Sequence, residues 1–271
     1  MAVFQRLLTN MALLSKKNNQ DEVMEQSEMV EVGDAVPAIL FNTMPKSGSV
    51  FILRSIENGL RIPYVNVSDG YFPDDLLQRT RFQEFALGNC ITQSHVPAHP
   101  INIGMLNHYI DRMVLHVRDP RQALLSWTHH VRRFQNDRGA LSVFVPSIPD
   151  EYFSWSLHEQ IEWQIENYCP GLVNWVEGWI DHIKKEDQSF KIMITHYEDF
   201  LEDQEKFFKE FFKFYDVEWE KFIFTEVEKS ADTNFRSGTL DEWRSVFAES
   251  QNEKMLSMMS NEVKAFCRVE C

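Results

Sequence analysis

Lys46, His95, Arg118 and Arg236 each stand in a short string suited to holding or attacking an anionic group. In MPKSGSVF, residues 44–51, a lysine precedes a Ser-Gly-Ser turn that opens a helix. Such a turn leaves the backbone N–H groups of Ser47, Gly48 and Ser49 at the positive end of a helix dipole, where an anion binds. Lys46 adds a point charge there. The string is not the GxxxxGK[ST] nucleotide loop, because its lysine comes before its glycine. In VLHVRDPRQALLSW, residues 114–127, Arg118 ends an apolar run and Pro120 starts a helix. Ser126 lies about two turns along that helix, facing the same crevice. An arginine and a serine so placed can share a phosphate, the arginine through paired charge-assisted bonds. The plain structural alternative is a surface ion pair of Arg118 with Asp119 or with a distant acid. In TQSHVPAHP, residues 92–100, His95 follows another apolar run. Its ordinary pKa suits general-base work, although a histidine taken alone is more often structural. In TNFRSGTLDEWRSVF, residues 233–247, Arg236, Ser237 and Gly238 form a basic loop ahead of a helix. His99, His129 and His130 belong to no HExxH or carboxylate-rich set, so no metal site is expected.

Elements must bring these strings together. AILFNTM, from Ala38, reads as a strand ending in the Pro-Lys-Ser-Gly turn, and SVFILRSIENGL as a helix that Gly59 stops. YVNVS reads as a second strand, CITQSH as a third and RMVLHVRD as a fourth. PDDLLQRTRFQEFAL, with Pro73 and two aspartates first, has the opening of a helix. Residues 156–185 have helical spacing with a break at Pro170-Gly171, and KIMITHYEDF is a last strand leading into a phenylalanine-rich helix. Phe207, Phe208, Phe211, Phe212 and Phe214 there read as core, as do Trp175 and Trp179. Strands alternating with helices predict an α/β domain with a central, mostly parallel sheet flanked by helices, over residues 37–271. Residues 1–36 divide into a helically spaced segment, AVFQRLLTNMALL, and a polar, acidic linker or arm. That helix fits docking on the domain or a partner better than a membrane surface.

Taken in order, the strings resemble the PAPS-dependent sulfotransferases of the cytosolic small-molecule type, over residues 37 to about 250. PAPS is 3′-phosphoadenosine-5′-phosphosulfate. PKSGSVF is similar to the family's PKSGTTW loop, which implies that Lys46, Ser47, Gly48 and Ser49 hold the 5′-phosphosulfate. Val50 stands where the family has a hydroxyl residue, and Phe51 where it has an adenine-stacking tryptophan. Arg118 and Ser126 match the strand–Arg–helix–Ser element that grips the 3′-phosphate. QSHVP resembles KTHLP, so the resemblance makes His95 the catalytic base. Tyr197, Glu198 and Asp199 match a Y-E-D string, with Tyr197 near adenine. RSGTLDEW resembles RKGxxGDW, which carries over Arg236 and Gly238, with Ser237 replacing a lysine. The resemblance further implies a P-loop-NTPase-like fold, catalytic roles for Lys46, His95 and Ser126, and 3′,5′-ADP as product. Ser126 would restrain Lys46 until the acceptor binds, and neither a metal nor a covalent intermediate would be needed.

The acceptor is less legible. With 271 residues, 44% of them hydrophobic, and a formal net charge of −14, the chain can build a substantial core but has no basic footprint. That argues against nucleic acid, an anionic membrane or a polyanionic acceptor, and favours a neutral or cationic small molecule. A guanidinium-bearing alkaloid is one candidate; a phenol or alcohol is the other. Residues 134–155 form a long connection, and Phe144, Tyr152, Phe153 and Trp155 are expected either to wall the acceptor pocket or to cap the core. Cys90, Cys169, Cys267 and Cys271 are scattered without a CxxC pair, and no apolar run approaches a membrane span. A reducing, cytoplasmic setting is therefore expected, with the oligomeric state open. The rival readings are a small-molecule or nucleoside kinase, which would need a Walker-type loop, and a non-catalytic binding protein on the same fold.

Overall fold

In the computed structural model, residues 35–137, 148–185, 189–224 and 240–270 are described. Four strands form a parallel sheet: β1 (Ile39–Thr43), β4 (Ile91–Ser94), β5 (Arg112–Val117) and β6 (Lys191–His196), in the order β4-β1-β5-β6. Between β1 and β4 the chain also makes an antiparallel pair of two-residue strands, β2 (Ser68–Asp69) and β3 (Leu76–Leu77). The α/β class with a mostly parallel, helix-flanked sheet is thus as expected.

Both faces of the sheet are covered, so its strands read as nearly continuous apolar runs. Alternation still sorts the side chains. Ile39 and Phe41 of β1, with Val114 of β5, enter one core cluster, which holds Phe207, Phe208, Phe211 and Phe212. Leu40, Leu115 and Val117 enter the other, with Trp175 and Trp179. The phenylalanine stripe and the tryptophan pair are therefore core, and Phe214 packs at the edge of its cluster.

The helices follow in chain order: α1 (Ser49–Leu60), α2 (Arg79–Phe85), α3 (Pro100–Tyr109), α4 (Pro120–Arg132), α5 (Leu157–Asn167), α6 (Cys169–Ile183), α7 (Tyr197–Glu202), α8 (Gln204–Phe214), α9 (Trp243–Val246), α10 (Glu249–Met258) and α11 (Asn261–Phe266). Four details depart from the sequence-based expectation. α1 runs on past Gly59 and ends at Arg61, a left-handed C-cap with φ 56°. YVNVS makes one bridge, Tyr64 to Ile91, before the Asn66 side chain accepts the Ser68 N–H and turns the chain away. The helix expected from Pro73 starts only at Arg79, because Pro73–Gln78 are taken up by the β2–β3 connection and by the Gln78 N-cap. The break in 156–185 falls at Tyr168, and Pro170 lies in the first turn of α6, where its missing N–H costs nothing.

The strand order places the four carboxyl ends, at Thr43, Ser94, Val117 and His196, along one edge of the sheet. From β1 the chain goes on to β4 on one side and from β5 to β6 on the other, which makes the crevice between β1 and β5 the topological switch point. The N-terminal residues 1–34, and Cys271, lie outside the described residues.

Candidate active site

Each carboxyl end delivers one of the expected side chains. Lys46 follows β1, His95 follows β4, Arg118 follows β5 and Tyr197 follows β6. They open on one cavity of about 540 Å³, lined also by Gly48, Ser49, Val50, Phe51 and Ser126.

The β1–α1 turn is built for close approach. Lys46 and Gly48 both have positive φ, 64° and 77°. A Cβ on Gly48 would come within 2.5 Å of the Tyr197 ring, so only glycine fits beneath that ring. Gly48 caps α1 with no side-chain bond, and the N–H groups of Gly48, Ser49 and Val50 have no partner among the described residues. Three first-turn donors and a dipole end therefore face the cavity. The turn is braced from below. Ser47 Oγ donates to the Met44 carbonyl at 2.7 Å, and buried His116 donates Nε2–H to the Ser47 carbonyl at 3.0 Å. Thr195 Oγ1 lies 2.8 Å from His116 Nδ1. With Nε2 carrying the proton, Nδ1 is the acceptor of the threonine hydroxyl.

Arg118 ties the second string to the first. Its Nη1 donates to the Lys46 carbonyl at 2.8 Å, and its Nε and Nη2 donate to Gln122 Oε1 at 3.1 and 2.7 Å. The guanidinium lies 4.2 Å from the Tyr197 ring centroid. Asp119 pairs with Arg121 at 2.7 Å rather than with Arg118, and Glu198 is an acid that feels the Arg118 charge.

His95 is half-buried in the cavity wall, and its ring orientation is fixed on both sides. Nδ1 lies 2.7 Å from the Thr43 carbonyl, an acceptor only, so Nδ1 carries the proton. Nε2 is left with its lone pair, 3.3 Å from the Gln93 amide nitrogen. The His95 carbonyl accepts the Trp175 indole N–H at 2.9 Å, which pins the segment from the α6 side. Burial first, and then the charge of Lys46, hold the His95 pKa down at about 4. The same two causes in the same order hold His130, another cavity residue, at about 3. Both imidazoles are neutral at pH 7, and Lys46 is close enough for both to feel its charge. This arrangement can hold an oxyanion at the α1 end and take a proton at His95 Nε2.

Other expected site residues lie elsewhere. Tyr152 is fully buried, its hydroxyl oxygen accepts from the Gln164 amide at 3.0 Å, and it packs with Phe153, Trp155, Trp163 and Val131. None of Tyr152, Phe153 and Trp155 lines the cavity, because Tyr152 fills a cluster of its own against α4 and α5. Phe144 and the loop Arg236, Ser237 and Gly238 lie outside the described residues. Cavity walls that the sequence did not single out are Tyr71, Phe72, Trp127, Tyr168 and His130 on one side and Phe200, Leu201 and Gln204 on the other. The acid Asp75 also lines it. The descent from β2 to β3 carries Tyr71, Phe72 and Asp75, a stretch whose Pro-Asp-Asp string reads as a helix start. Among the described residues no cluster of His, Cys, Asp and Glu has the make-up of a metal site. No helix of the described residues is long and apolar enough to cross a membrane. Cys90, Cys169 and Cys267 are buried free thiols.

The sulfotransferase domain model matches residues 36–266. No curated protein matches the sequence. Among solved structures, the fold is similar to mouse sulfotransferase SULT7A1 complexed with PAP, at 16% identity and a TM-score of 0.55, over 86% of this chain and 84% of that one. It is also similar to retinol dehydratase in complex with androsterone and inactive cofactor PAP, at 14% identity and a TM-score of 0.51, over 85% of this chain and 80% of that one.

Proposed function

This chain belongs to the sulfotransferase domain family, and from that premise we propose that it moves a sulfuryl group from PAPS to a hydroxyl or amine of a small acceptor. One observation carries the reading: unpaired N–H groups at the start of α1, the Lys46 charge and a neutral, oriented His95 meet in a single cavity. The residues present fit a 3′,5′-bisphosphorylated adenosine donor. Ser47, Gly48, Ser49 and Val50 offer main-chain donors and Lys46 a charge for its 5′ end. Arg118 and Ser126 would hold the 3′-phosphate, together with Arg236, Ser237 and Gly238. Phe51, Tyr197 and Phe200 supply aromatic faces for adenine. Val50 costs the loop a hydroxyl but leaves its N–H, and the Phe51 ring keeps an aromatic surface.

The donor, when bound, supplies the sulfuryl group; the protein supplies position and proton handling. The acceptor oxygen or nitrogen forms the new bond to sulfur as the bond from sulfur to the phosphate oxygen breaks, and that oxygen keeps the electron pair. His95 Nε2 takes the acceptor's proton. Lys46 and the α1 N–H groups offset the charge that gathers on the phosphate oxygen. A base held at about 4 is weak, but negative charge brought to Lys46 removes one of the two causes of that low value. The acceptor stands as a neutral or cationic small molecule, with a guanidinium alkaloid among the candidates, supported by the net charge of −14. A cytoplasmic setting, and a division into an N-terminal helix and acidic arm over residues 1–36 and a sulfotransferase domain over 37–271, complete the reading.

His95→Ala should lower transfer by about 10²- to 10⁴-fold while 3′,5′-ADP still binds. Lys46→Ala should lower both transfer and affinity. Mass spectrometry of a panel of phenols, alcohols and amines incubated with PAPS reads the first, and calorimetry the second. Undiminished transfer by His95→Ala would remove it as the base. Magnesium-dependent ATP turnover without sulfate transfer would favour the kinase reading.

A further inference from the structure

Asp75 is the one carboxylate lining the cavity among the described residues, and sulfuryl transfer as set out above makes no use of it. Its residue is only 6% exposed. The backbone N–H of His95 is near enough to favour its charged form, which puts the carboxylate beside the residue assigned as base. The charges that act on it come from Asp74, which repels, and no lysine or arginine among the described residues offsets it. The Tyr64 phenol is close enough to feel its charge. Burial pushes the Asp75 carboxyl up to about 6, which still leaves it mostly ionised at neutral pH.

The carboxylate is also rigidly presented. Buried Asn102 of α3 donates to the carbonyls of Asp75 and Pro97, both at 3.0 Å, and accepts the Leu77 N–H at 2.9 Å. One side chain thus fastens the β2–β3 connection to the segment after His95. Gly70, with φ 107°, brings its backbone against Asp74 and Asp75, where an added Cβ would lie 3.1 Å from the Asp74 carbonyl oxygen. Aromatic faces surround the same region. Phe72 stands edge-on to His95 at 6.4 Å and tilted against Tyr168 at 5.6 Å, and Trp127 stacks on Tyr168 at 4.7 Å and 9°. A buried carboxylate lacking a counter-cation, next to aromatic rings, is an environment that binds an alkylammonium by ion pairing and cation–π attraction.

We propose that Asp75 selects an acceptor bearing a cationic amine in addition to the hydroxyl that is sulfated, the ammonium pairing with Asp75 while the hydroxyl reaches His95. This rests on the sulfotransferase reading and narrows its acceptor class. The Phe72–Tyr168 wall would flank the carbon frame between the two groups.

The test uses two matched pairs of phenols that differ in charge at nearly constant shape: 3-(aminomethyl)phenol with 3-ethylphenol, and 4-(2-aminoethyl)phenol with 4-propylphenol. Sulfation from PAPS at pH 7.5, and binding in the presence of 3′,5′-ADP, are both measured. In at least one pair the wild type should show a KM about ten-fold or more lower for the amine. Asp75→Asn keeps an oxygen for the His95 N–H. It should raise the amine's KM about ten- to a hundred-fold, leave the neutral phenol unchanged and move kcat little. A wild type without amine preference in either pair, or a variant that shifts amine and neutral phenol alike, would overturn the assignment, and the first of these needs no variant at all. Amine preference in binding without any sulfate transfer would instead overturn the sulfotransferase reading and leave Asp75 standing. Transfer to both members of each pair with equal KM would do the reverse.

Discussion

The chemistry depends on a few side chains whose protonation is fixed by what lies behind them. His95 owes its base-ready tautomer to the Thr43 carbonyl. The β1–α1 turn owes its shape to His116, which no motif singles out. The His116 ring packs against Phe41 and Phe207, at 5.3 and 5.8 Å, while its two nitrogens bond to Ser47 and Thr195. His116→Phe keeps the ring and removes both bonds, stranding a buried carbonyl and a buried hydroxyl. The expected loss is about 2–3 kcal/mol of stability, with weaker 3′,5′-ADP binding, because the Ser47 peptide is then free to tilt. Urea denaturation and calorimetry check the two parts; a variant that binds 3′,5′-ADP as tightly as wild type would separate His116 from the loop. At this scale the sequence was informative where a charged or titratable residue followed an apolar run. Lys46, His95 and Arg118 were found that way. Asp75 was not, because two aspartates after a proline have the same spelling as a helix N-terminus. Nor were Trp127, Tyr168 and His130, since aromatic residues on a helix carry no mark of the face that meets a cavity.

At the scale of elements, the parallel, helix-flanked sheet was legible because short apolar runs, each followed by a turn, alternate with helically spaced segments; the order of its strands was not. α3 escaped notice because its apolar residues are spread around the helix, so no stripe marks it. The β2–β3 pair escaped because two-residue strands carry no periodic signal. The docking of the chain's C-terminal part on α4 was equally hidden, since it rests on contacts more than a hundred residues apart. Arg121, 1% exposed, pairs with Asp119, donates to Asn252 Oδ1 at 3.0 Å and to the Glu270 carbonyl at 2.8 Å, and lies 3.7 Å over the Trp243 ring. It joins the first turn of α4, directly after Arg118, to α9, α10 and the segment after α11. Arg121→Met keeps much of the volume but leaves the Asp119 charge buried without its partner. Removing one member of such a pair costs about 3–5 kcal/mol. A double substitution, Arg121→Met with Asp119→Asn, should recover a good part of the loss, as seen by the midpoint of denaturation. Equal destabilisation in the single and double variants would mean that packing on Trp243, not the ion pair, sets the cost.

Across the whole molecule, an acidic surface with net charge −14 encloses a cavity whose donor end is basic and whose histidines are kept neutral. That combination fixes how stability responds to acid. His95, His116 and His130 are held at about 4, 3 and 3, below the ordinary value of 6.5, chiefly by burial. His182 and His196 are lowered for the same first reason. Below pH 6.5 the unfolded chain therefore binds protons that the folded chain refuses, and folding free energy is lost as the pH falls from 6.5 toward 4. Asp75, raised to about 6, and Glu198, also raised by burial, act with the opposite sign, because the folded chain protonates them first. Five imidazoles oppose two carboxyls, so the net slope is a loss on the order of 1 kcal/mol or more per pH unit between pH 6.5 and 5. Urea midpoints measured at pH 7, 6 and 5 should fall steadily. His116→Phe, which lacks one of the refusing imidazoles, should fall less steeply, so that its deficit relative to wild type narrows at pH 5. A midpoint that is flat or rises over this range would mean that the folded chain accepts protons on these rings, and that the interior around Ser47 and Lys46 is far wetter than its burial implies.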